Sequence, residues 1–360
     1  MTATQTLIIG GGLTGLAIAQ GLEAAGHDYF LAEARSRFGG RVMSQSHGDA
    51  AFDLGPSWFW PGQPRMAALV HQLGVRRFDQ FAAGDLMFEG RDGRTQRGVG
   101  FSSMEGSWRI RGGMAALTDG LVARIPEERR ALSMAAQSIT DSGDGITVRF
   151  ANGQDIVAER VVFALPPRVA GEFAYAPALP DLALANMRAV PTWMAGQAKV
   201  VAIYPEPFWR NAGLSGDAMS QRGPMAEIHD ASPDTDGPYA LFGFVGVPPK
   251  ARQDEPQLRA AIVSQLARVF GPQASEPDAL YLKDWAFDAN TAVEADQLPL
   301  RAHPDYGRPK SLEGLWQGRL IFAGTENAPE FGGYLEGALA SAEEVLSQLL
   351  TTTKDIRYGA

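Results

Sequence analysis

The strongest constraint on the fold lies at the start of the chain, where three glycines have the spacing G-x-G-x-x-G. Residues 10–15 read Gly-Gly-Gly-Leu-Thr-Gly, and they separate an apolar run at residues 6–9 from apolar residues at helical spacing up to Ala25. A second apolar run follows at residues 29–32. The order strand, glycine turn, helix, strand predicts a βαβ unit and therefore a parallel sheet covered by helices.

The spacing of these glycines suits a site for a dinucleotide. Gly10 allows the tight turn, Gly12 lets the backbone approach a pyrophosphate, and Gly15 lets the helix pack closely on the strand. The helix N-terminus offers free N–H groups and the positive end of its dipole. Glu33 follows 18 residues after Gly15, where a carboxylate accepts hydrogen bonds from ribose and repels the 2′-phosphate of NADP. The alternative is a glycine-rich turn that binds nothing.

The residues after Glu33 indicate which dinucleotide to expect. The chain continues with Ala34 and Arg35 and, after three more residues, with Gly39-Gly40-Arg41. An acidic strand end followed by Gly-Gly-Arg is the second signature of large FAD-dependent oxidases. The two glycines allow another close pass of the backbone, and the arginine can contact a phosphate. We therefore expect FAD, and the alternative is a surface turn with a solvated arginine.

Composition excludes several classes of function. The chain has 360 residues, of which 45% are hydrophobic, enough for a large core and for two domains or one large domain with insertions. Its formal net charge of −9 argues against a nucleic-acid partner, because a phosphate-binding surface needs an excess of cations. The absence of cysteine excludes disulfides, thiolate metal sites and a flavin tethered through sulfur, so the FAD is expected to be non-covalent. The five histidines lack metal-ligand spacing, and no metal is expected.

Neither export nor membrane insertion is predicted. The N-terminus lacks the basic region of a signal peptide. The longest apolar stretch, residues 7–22, is rich in glycine and shorter than the ~20 residues that a span needs. No hydrophobic tail follows Leu350. We therefore expect a cytoplasmic protein with no membrane partner.

Several segments together resemble the flavin-containing amine oxidases, the monoamine oxidase family and its bacterial relatives. The resemblance covers both ends of the chain and much of the middle, and the chain is identified as a short member of bacterial type. Its most specific part is the closing stretch at residues 321–326 and 333–338. The segments that carry it are Asp53-Leu54-Gly55-Pro56, residues 161–167, Lys199-Val200-Val201, residues 206–210, Trp285 and that closing stretch.

The resemblance implies an α/β fold with an FAD-binding Rossmann-like domain and a smaller α+β substrate domain built on a mixed sheet. The FAD-binding domain is expected from residues 1–78, 108–187 and 287–350, and the substrate domain from residues 79–107 and 188–286. Residues 351–360 are expected to form a polar tail. Because only 36 residues separate Gly74 from Arg111, the substrate domain should be reduced and its site more open than in larger members.

The resemblance also implies roles for individual residues. Lys199 would hold a water against flavin N5 and assist reoxidation by oxygen; the alternative is a lysine guarding an edge strand. Tyr334 would stand near the flavin face and orient an amine, or else pack at a helix start. Leu335 would donate its N–H to a flavin carbonyl. The residues expected to bind the cofactor are Gly10, Gly12, Leu13, Thr14, Gly15, Glu33, Ala34, Arg35, Gly39, Gly40, Arg41, Leu54, Gly55, Pro56, Ser57, Trp285, Gly324, Thr325, Glu326, Tyr334 and Leu335.

The expected substrate cleft departs from the family pattern. Trp58 and Trp60 form an aromatic cluster after Gly55-Pro56, which either lines the cleft or packs in the core. Counting from Trp285, Ala295 falls where the family has the second of two tyrosines that flank the amine. Tyr334 is then expected to be the one ring of the pair that remains.

The predicted function is an FAD-dependent oxidase. It removes a hydride from the α-carbon of a small amine, gives an imine, and reduces O2 to hydrogen peroxide. The expected partners are the amine and O2, without nucleic acid or membrane. One alternative is a flavin-dependent dehydrogenase or desaturase that acts on a substrate other than an amine. The other is a flavin-binding protein without catalytic activity.

Overall fold

Two large β-sheets with helices packed on them dominate the described part of the chain, which also contains two small two-stranded sheets. The computed structural model describes residues 2–298, 300 and 302–358. Parts of the predicted segments 1–78, 287–350 and 351–360, namely Met1, Pro299, Arg301 and residues 359–360, lie outside the described residues. None of the helices in the described part of the chain is long and apolar enough to cross a membrane.

The strands and helices are numbered in chain order. The strands are β1 (Thr2–Ile9), β2 (Tyr29–Ala32), β3 (Ser44–His47), β4 (Ala50–Asp53), β5 (Arg77–Asp79), β6 (Asp85–Glu89), β7 (Thr95–Arg97), β8 (Trp108–Ile110), β9 (Arg130–Ala131), β10 (Ala136–Asp141), β11 (Ile146–Phe150), β12 (Asp155–Ala164), β13 (Ala174–Ala176), β14 (Ala198–Tyr204), β15 (Leu214–Ser220), β16 (Met225–Asp230), β17 (Tyr239–Val245), β18 (Ala279–Asp284) and β19 (Leu320–Ala323). The helices are α1 (Leu13–Ala24), α2 (Pro64–Leu73), α3 (Ala115–Val122), α4 (Pro167–Ala170), α5 (Asp181–Ala189), α6 (Phe208–Asn211), α7 (Glu255–Phe270), α8 (Leu315–Gly318) and α9 (Leu335–Tyr358).

The first sheet is built around the chain's first strand. Its order is β13-β10-β11-β12-β1-β2-β9, and β19 also pairs with β12. β1 runs parallel to both of its neighbours, which confirms the predicted βαβ unit. The strand is wholly apolar at residues 7–9 because both of its faces are covered. Ile8 packs among α1, α2, α3 and α9, whereas Leu7 and Ile9 pack on the opposite side with α5.

The second sheet is mixed, as expected. Its order is β18-β14-β17-β16-β15-β6-β7, and β15 runs parallel to β6 while β14 is antiparallel to β17 and β18. One face packs on α7 through residues such as Val200 and Ile262. The other face, which carries Val201 and Phe242, packs against Phe52 and Leu54 from the region of β4. This second face is the inner face of the sheet, and it lies against the segment around β4.

The chain passes between the sheets several times. All strands of the first sheet lie within residues 1–78, 108–187 and 287–350, and those of the second lie within 79–107 and 188–286. The division of the chain into two domains at those boundaries remains our proposal. The closing helix is longer than expected, since α9 continues to Tyr358 through most of the predicted tail.

Candidate active site

A cavity of about 520 Å³ connects the glycine turn after β1 with the inner face of the second sheet. Its walls come from both ends of the chain and from the middle. The structure brings nearly all of the predicted site residues to this one cavity. Those that line it are Gly10, Gly12, Leu13, Thr14, Glu33, Ala34, Arg35, Gly39, Gly40, Arg41, Leu54, Gly55, Pro56, Ser57, Trp58, Trp60, Lys199, Trp285, Gly324, Thr325, Tyr334 and Leu335.

Glu33 directly follows β2, which ends at Ala32 as predicted, and it ties the first turn to the end of that strand. The carboxylate accepts hydrogen bonds from the backbone N–H of Gly11 at 2.7 Å and of Arg35 at 2.8 Å. Arg35 in turn donates to Asp288 at 2.6 Å and to Thr291 at 2.7 Å. The acidic residue is therefore buried and fixed in orientation at the wall of the cavity.

The two glycine segments lie side by side. Gly12 and Gly39 form an isolated parallel bridge, and the N–H of Gly39 donates to the carbonyl of Gly11 at 2.8 Å. Gly39 and Gly40 have φ angles of 101° and 57°, a backbone region that other residues rarely adopt. The guanidinium of Arg37 holds this turn by donating to the carbonyl oxygen of Gly40 at 2.8 Å.

The start of α1 fits a pyrophosphate. The N–H groups in the first turn of a helix have no intrahelical partner, and here no side chain caps them. Leu13 and Thr14, which begin the helix, line the cavity. A Cβ at Gly12 would have its nearest neighbours at 3.9 Å, which leaves room for a ligand to approach the backbone. Donors, dipole and open space thus agree with the predicted dinucleotide.

Gly12 and Gly15 give a matched pair of expected results. A Cβ at residue 15 would lie 1.9 Å from the carbonyl oxygen of Gly10, so Gly15→Ala should lower the free energy of unfolding by about 1–3 kcal/mol, the usual cost of overpacking. Gly12→Ala should leave the apoprotein as stable as wild type and weaken FAD binding, because its methyl group enters the cavity. Thermal unfolding of the apoproteins and titration with FAD would check both. Equal unfolding temperatures for the two variants would contradict the prediction.

Glu326 has a different contact from the one expected. Its side chain is fully buried and does not line the cavity. Instead it accepts two hydrogen bonds from the guanidinium of Arg41, at 2.5 and 3.0 Å. The short 3-10 turn Thr325–Asn327 directs the carboxylate inward, behind Arg41. Glu326 therefore orients an arginine of the cavity wall and does not itself reach the cavity.

Lys199 lies on the inner face of β14, and its side chain is only 3% exposed. Its ammonium donates to the carbonyl oxygen of Gly55 at 3.0 Å and also hydrogen-bonds Ser57 Oγ. It stands 4.1 Å above the ring of Phe242. Burial is the largest influence and lowers the pKa of Lys199 to about 7, while Asp53 acts to raise it. The lysine can therefore change its charge near neutral pH.

The segment at residues 54–57, which bonds the ammonium of Lys199 through Gly55 and Ser57, is held in place from two sides. Asp53 precedes it and accepts hydrogen bonds from Ser44 Oγ at 2.6 Å and from the N–H of Met114 at 2.8 Å. Burial raises the pKa of Asp53 against the opposing charge of Lys199. On the other side, Trp285 Nε1 donates to the carbonyl oxygen of Leu54 at 2.9 Å. The ammonium partners of Lys199 are thus held in place.

Tyr334 stands at the cavity mouth just before α9, and it is 36% exposed. Its ring is stacked on His303, with centroids 5.2 Å apart and planes at 12°. Trp60 approaches the ring edge-on at 6.1 Å. The Oγ1 of Thr325 donates to the carbonyl oxygen of Tyr334 at 2.7 Å and fixes the start of the helix.

The structure does not bring Ala295 to the cavity. Ala295 is exposed and lies in the 3-10 turn Glu294–Gln297, outside the cavity wall. The ring parallel to Tyr334 belongs instead to His303, eight positions further along the chain. The described residues between Trp285 and His303 form turns, and the sequence pattern does not reveal which of them reaches the cavity. A gap of 5.2 Å between the rings leaves no space for a group between them.

One charged residue of the cavity wall, Glu227, belongs to no motif that predicts it from the sequence. It lies on β16, a strand that the sequence pattern did not predict. Alternation of polar Glu227 and His229 with apolar neighbours is the signal that could have revealed it. Trp193, Phe244 and Met104 were likewise not predicted, and they add apolar surface to the cavity wall.

Comparisons with known proteins agree with this site. The family model for flavin containing amine oxidoreductase matches residues 97–348, and the model for an NAD(P)-binding Rossmann-like domain matches residues 8–73. A probable flavin-containing monoamine oxidase A of Dictyostelium discoideum is 24% identical over 97% of this chain and 98% of its own length. A putrescine oxidase of Kocuria rosea is 24% identical over 96% of this chain and 94% of its own.

A solved structure of wild-type putrescine oxidase bound to putrescine shares the fold. Its TM-score is 0.80 at 20% identity, covering 97% of this chain and 99% of that one. The alignment with the Dictyostelium protein spans 455 positions, so that protein carries extra residues that this chain lacks. Because the matched model covers more than half of its residues, the chain belongs to the flavin-containing amine oxidoreductase family, and it is an FAD-dependent oxidoreductase.

Proposed function

We propose that this protein oxidises a primary amine to an imine and delivers the electrons to O2 as hydrogen peroxide. The observation that carries the proposal is one cavity that joins the dinucleotide-binding turns to Lys199 and Tyr334. FAD, when bound, supplies the hydride acceptor and the route of the electrons to oxygen. Glu33, Arg41 and the N-terminus of α1 would hold its ribose and phosphates, with Trp285 and Leu335 near the flavin ring.

Lys199 would serve the step with oxygen. An ammonium has three N–H donors, and the oxygens of Gly55 and Ser57 take two of them. The third donor remains for a water or for reduced oxygen in the cavity. With a pKa of about 7, the lysine can both stabilise negative charge on oxygen and give up a proton.

Tyr334 would orient the amine for loss of the hydride. The free face of its ring is the one opposite His303, and Trp60 limits movement of the ring from the side. The substrate nitrogen must be neutral, since its lone pair forms the C=N bond as the α-C–H bond breaks. Water then adds to the imine and gives an aldehyde and ammonia.

Glu227 supports a finer substrate class. Its side chain is 26% exposed and lines the cavity. Oε1 accepts hydrogen bonds from Ser103 Oγ at 2.7 Å and His229 Nε2 at 2.8 Å, and no residue in the described part of the chain bonds Oε2. A carboxylate in a largely apolar wall attracts a cation. We therefore extend the proposal to amines that carry a second positive group, such as diamines.

The spacing along the sheet agrees with a short diamine. Lys199 and Glu227 both lie opposite Phe244, on the two strands that flank it. Adjacent strands are about 4.8 Å apart, so these two backbones are about 10 Å apart. Putrescine, a diamine, is the ligand in the related solved structure. One amine would react near Lys199 while the other pairs with Glu227.

The test compares putrescine with n-butylamine, which has the same chain and one amine. Both should bleach the flavin anaerobically, and peroxide should appear when oxygen is admitted. In Glu227→Gln we expect KM for putrescine to rise about tenfold, the value of a hydrogen bond to a charged group, with KM for n-butylamine unchanged. Glu105→Gln, an exposed carboxylate nearby, is the control.

The other outcomes discriminate between functions. Flavin reduction without peroxide, followed by reoxidation by another acceptor, would replace the oxidase by a dehydrogenase. No reduction by any amine would favour a substrate of another class or a protein that only binds flavin. Equal changes of KM for both amines in Glu227→Gln would refute the site for a second cation and would leave the proposed amine oxidation standing.

A further inference from the structure

His229 is a buried histidine that bonds a carboxylate on each side. It lies two residues after Glu227 on the same face of β16, and its side chain is 2% exposed. Its Nδ1 is 2.7 Å from Asp217 Oδ1, and its Nε2 is 2.8 Å from Glu227 Oε1. Ionised carboxylates only accept hydrogen bonds, so with Asp217 and Glu227 ionised both ring nitrogens donate. The geometry therefore suits an imidazolium cation.

The electrostatics agree with this charge. Burial lowers the pKa of His229, but the hydrogen bonds and charges of Asp217 and Glu227 outweigh it and raise the pKa above its ordinary value. The hydrogen bond from His229 lowers the pKa of Glu227, although burial acts in the opposite direction. One cation between two anions leaves a net charge of about −1 on the cluster, which a second cation on the substrate would neutralise.

The charged groups around the ring are few. Asp217 comes from β15 and Glu227 from β16, whereas Lys199 on β14 lies beyond the ring of Phe242. The loop before β8 contributes only hydroxyl groups, since Ser102 bonds Asp217 and Ser103 bonds Glu227.

The imidazole ring is also held mechanically. Trp58 meets it edge-to-face with centroids 5.1 Å apart, and the ring of Phe242 lies 5.3 Å away. Trp58 is itself fixed by a hydrogen bond from Nε1 to Gln80 at 2.8 Å. The ring therefore has one orientation, and Glu227 Oε1 is committed to His229 and Ser103. The second oxygen of Glu227 is the one left for the cavity.

We propose that His229, held as a cation by Asp217, is the positioning residue that keeps Glu227 ionised and directed into the cavity, and thereby selects amines with a second positive charge. This proposal rests on the proposed amine oxidation. His229 touches neither substrate nor cofactor, and it acts through Glu227. Asp217 is the second member of the unit, because it stabilises the cation from the side opposite Glu227.

The experiment uses the holoenzyme and His229→Gln, with His71→Gln on the exposed side of α2 as the matched control. KM for putrescine should rise about tenfold, while KM for n-butylamine and kcat for both amines stay within about twofold. The preference for putrescine should also disappear at a higher pH than in wild type. Without the imidazolium, burial raises the pKa of Glu227, so the carboxylate gains its proton sooner as the pH falls.

A second measurement does not depend on turnover. In nitrogen-15 spectra of labelled histidine at about pH 8, where an ordinary histidine is neutral, His229 should carry protons on both ring nitrogens. Asp217→Asn keeps the ring in place, and it should shift that signal toward the neutral form and raise KM for putrescine in the same direction. This variant also serves if His229→Gln does not fold.

The KM and nitrogen-15 measurements have three informative outcomes. A neutral His229 at that pH, or a parallel rise of KM for both amines, would overturn the proposal. A doubly protonated His229 in a wild-type enzyme without any preference for putrescine would refute its selecting role while leaving amine oxidation intact. Absence of flavin reduction by either amine would instead be a failure of the proposed function.

Discussion

Replacing Lys199 with methionine should slow the reaction of the reduced flavin with O2 by about 100-fold, the usual effect of removing one preorganised charge from a dry site. Methionine keeps the length of the side chain and removes the ammonium that bonds Gly55 and Ser57. FAD content should stay near that of wild type.

The pH profile gives an independent check on Lys199. Its ammonium form is present below a pKa of about 7, so the rate of reoxidation in wild type should fall as the pH rises through that value. The profile of Lys199→Met should be flat over the same range. Stopped-flow mixing of the reduced enzyme with oxygenated buffer measures both.

Lys283 supplies the control for this prediction. It lies opposite Lys199 on β18, and its ammonium bonds Asp288 at 2.7 Å outside the cavity wall. Lys283→Met should reoxidise like wild type. An unchanged rate in Lys199→Met, together with lower stability, would show that Lys199 is a structural residue.

The second large effect is expected at Tyr334. Tyr334→Ala should lower the rate of flavin reduction by the best amine by about 100-fold, because loss of orientation of the reacting atoms costs that much. Substrate affinity should change little, since the other walls of the cavity remain. Tyr334→Phe keeps the ring that stacks on His303 and should cost much less. Anaerobic stopped-flow reduction over a range of amine concentrations separates rate from affinity.

A variant at Ala295 tests whether a ring at that position could act together with Tyr334. Ala295→Tyr should leave the reduction rate unchanged, because Ala295 is exposed and lies outside the cavity wall. A faster reaction in that variant would show that residue 295 does hold the position of the second ring beside the amine. An unaltered rate of flavin reduction in Tyr334→Ala would show that Tyr334 does not orient the amine.

Local pattern was sufficient to predict the parts of the fold that local forces determine. The glycine turn at residues 10–15 and the apolar run before it act over a few residues, so β1, α1 and β2 follow directly from the sequence. The burial of Lys199 was foreseeable too, because no face of the strand at residues 198–204 is strongly polar. The resemblance of short motifs added FAD and the amine oxidase family, which the comparisons confirm.

Tertiary structure decided where the polar groups of the site meet. Glu326 and Arg41 are 285 positions apart, and only the packed fold turns the acid from the cavity to the arginine. His303, and not Ala295, lies beside Tyr334. The sequence could not show this, because the turns between Trp285 and α9 have no periodic pattern to count. The roles proposed for Glu227 and His229 depend on Asp217, which lies on a neighbouring strand at 2.7 Å from the imidazole. Hydrogen bonds depend on distances of a few tenths of an ångström between remote residues, and sequence spacing carries no such information.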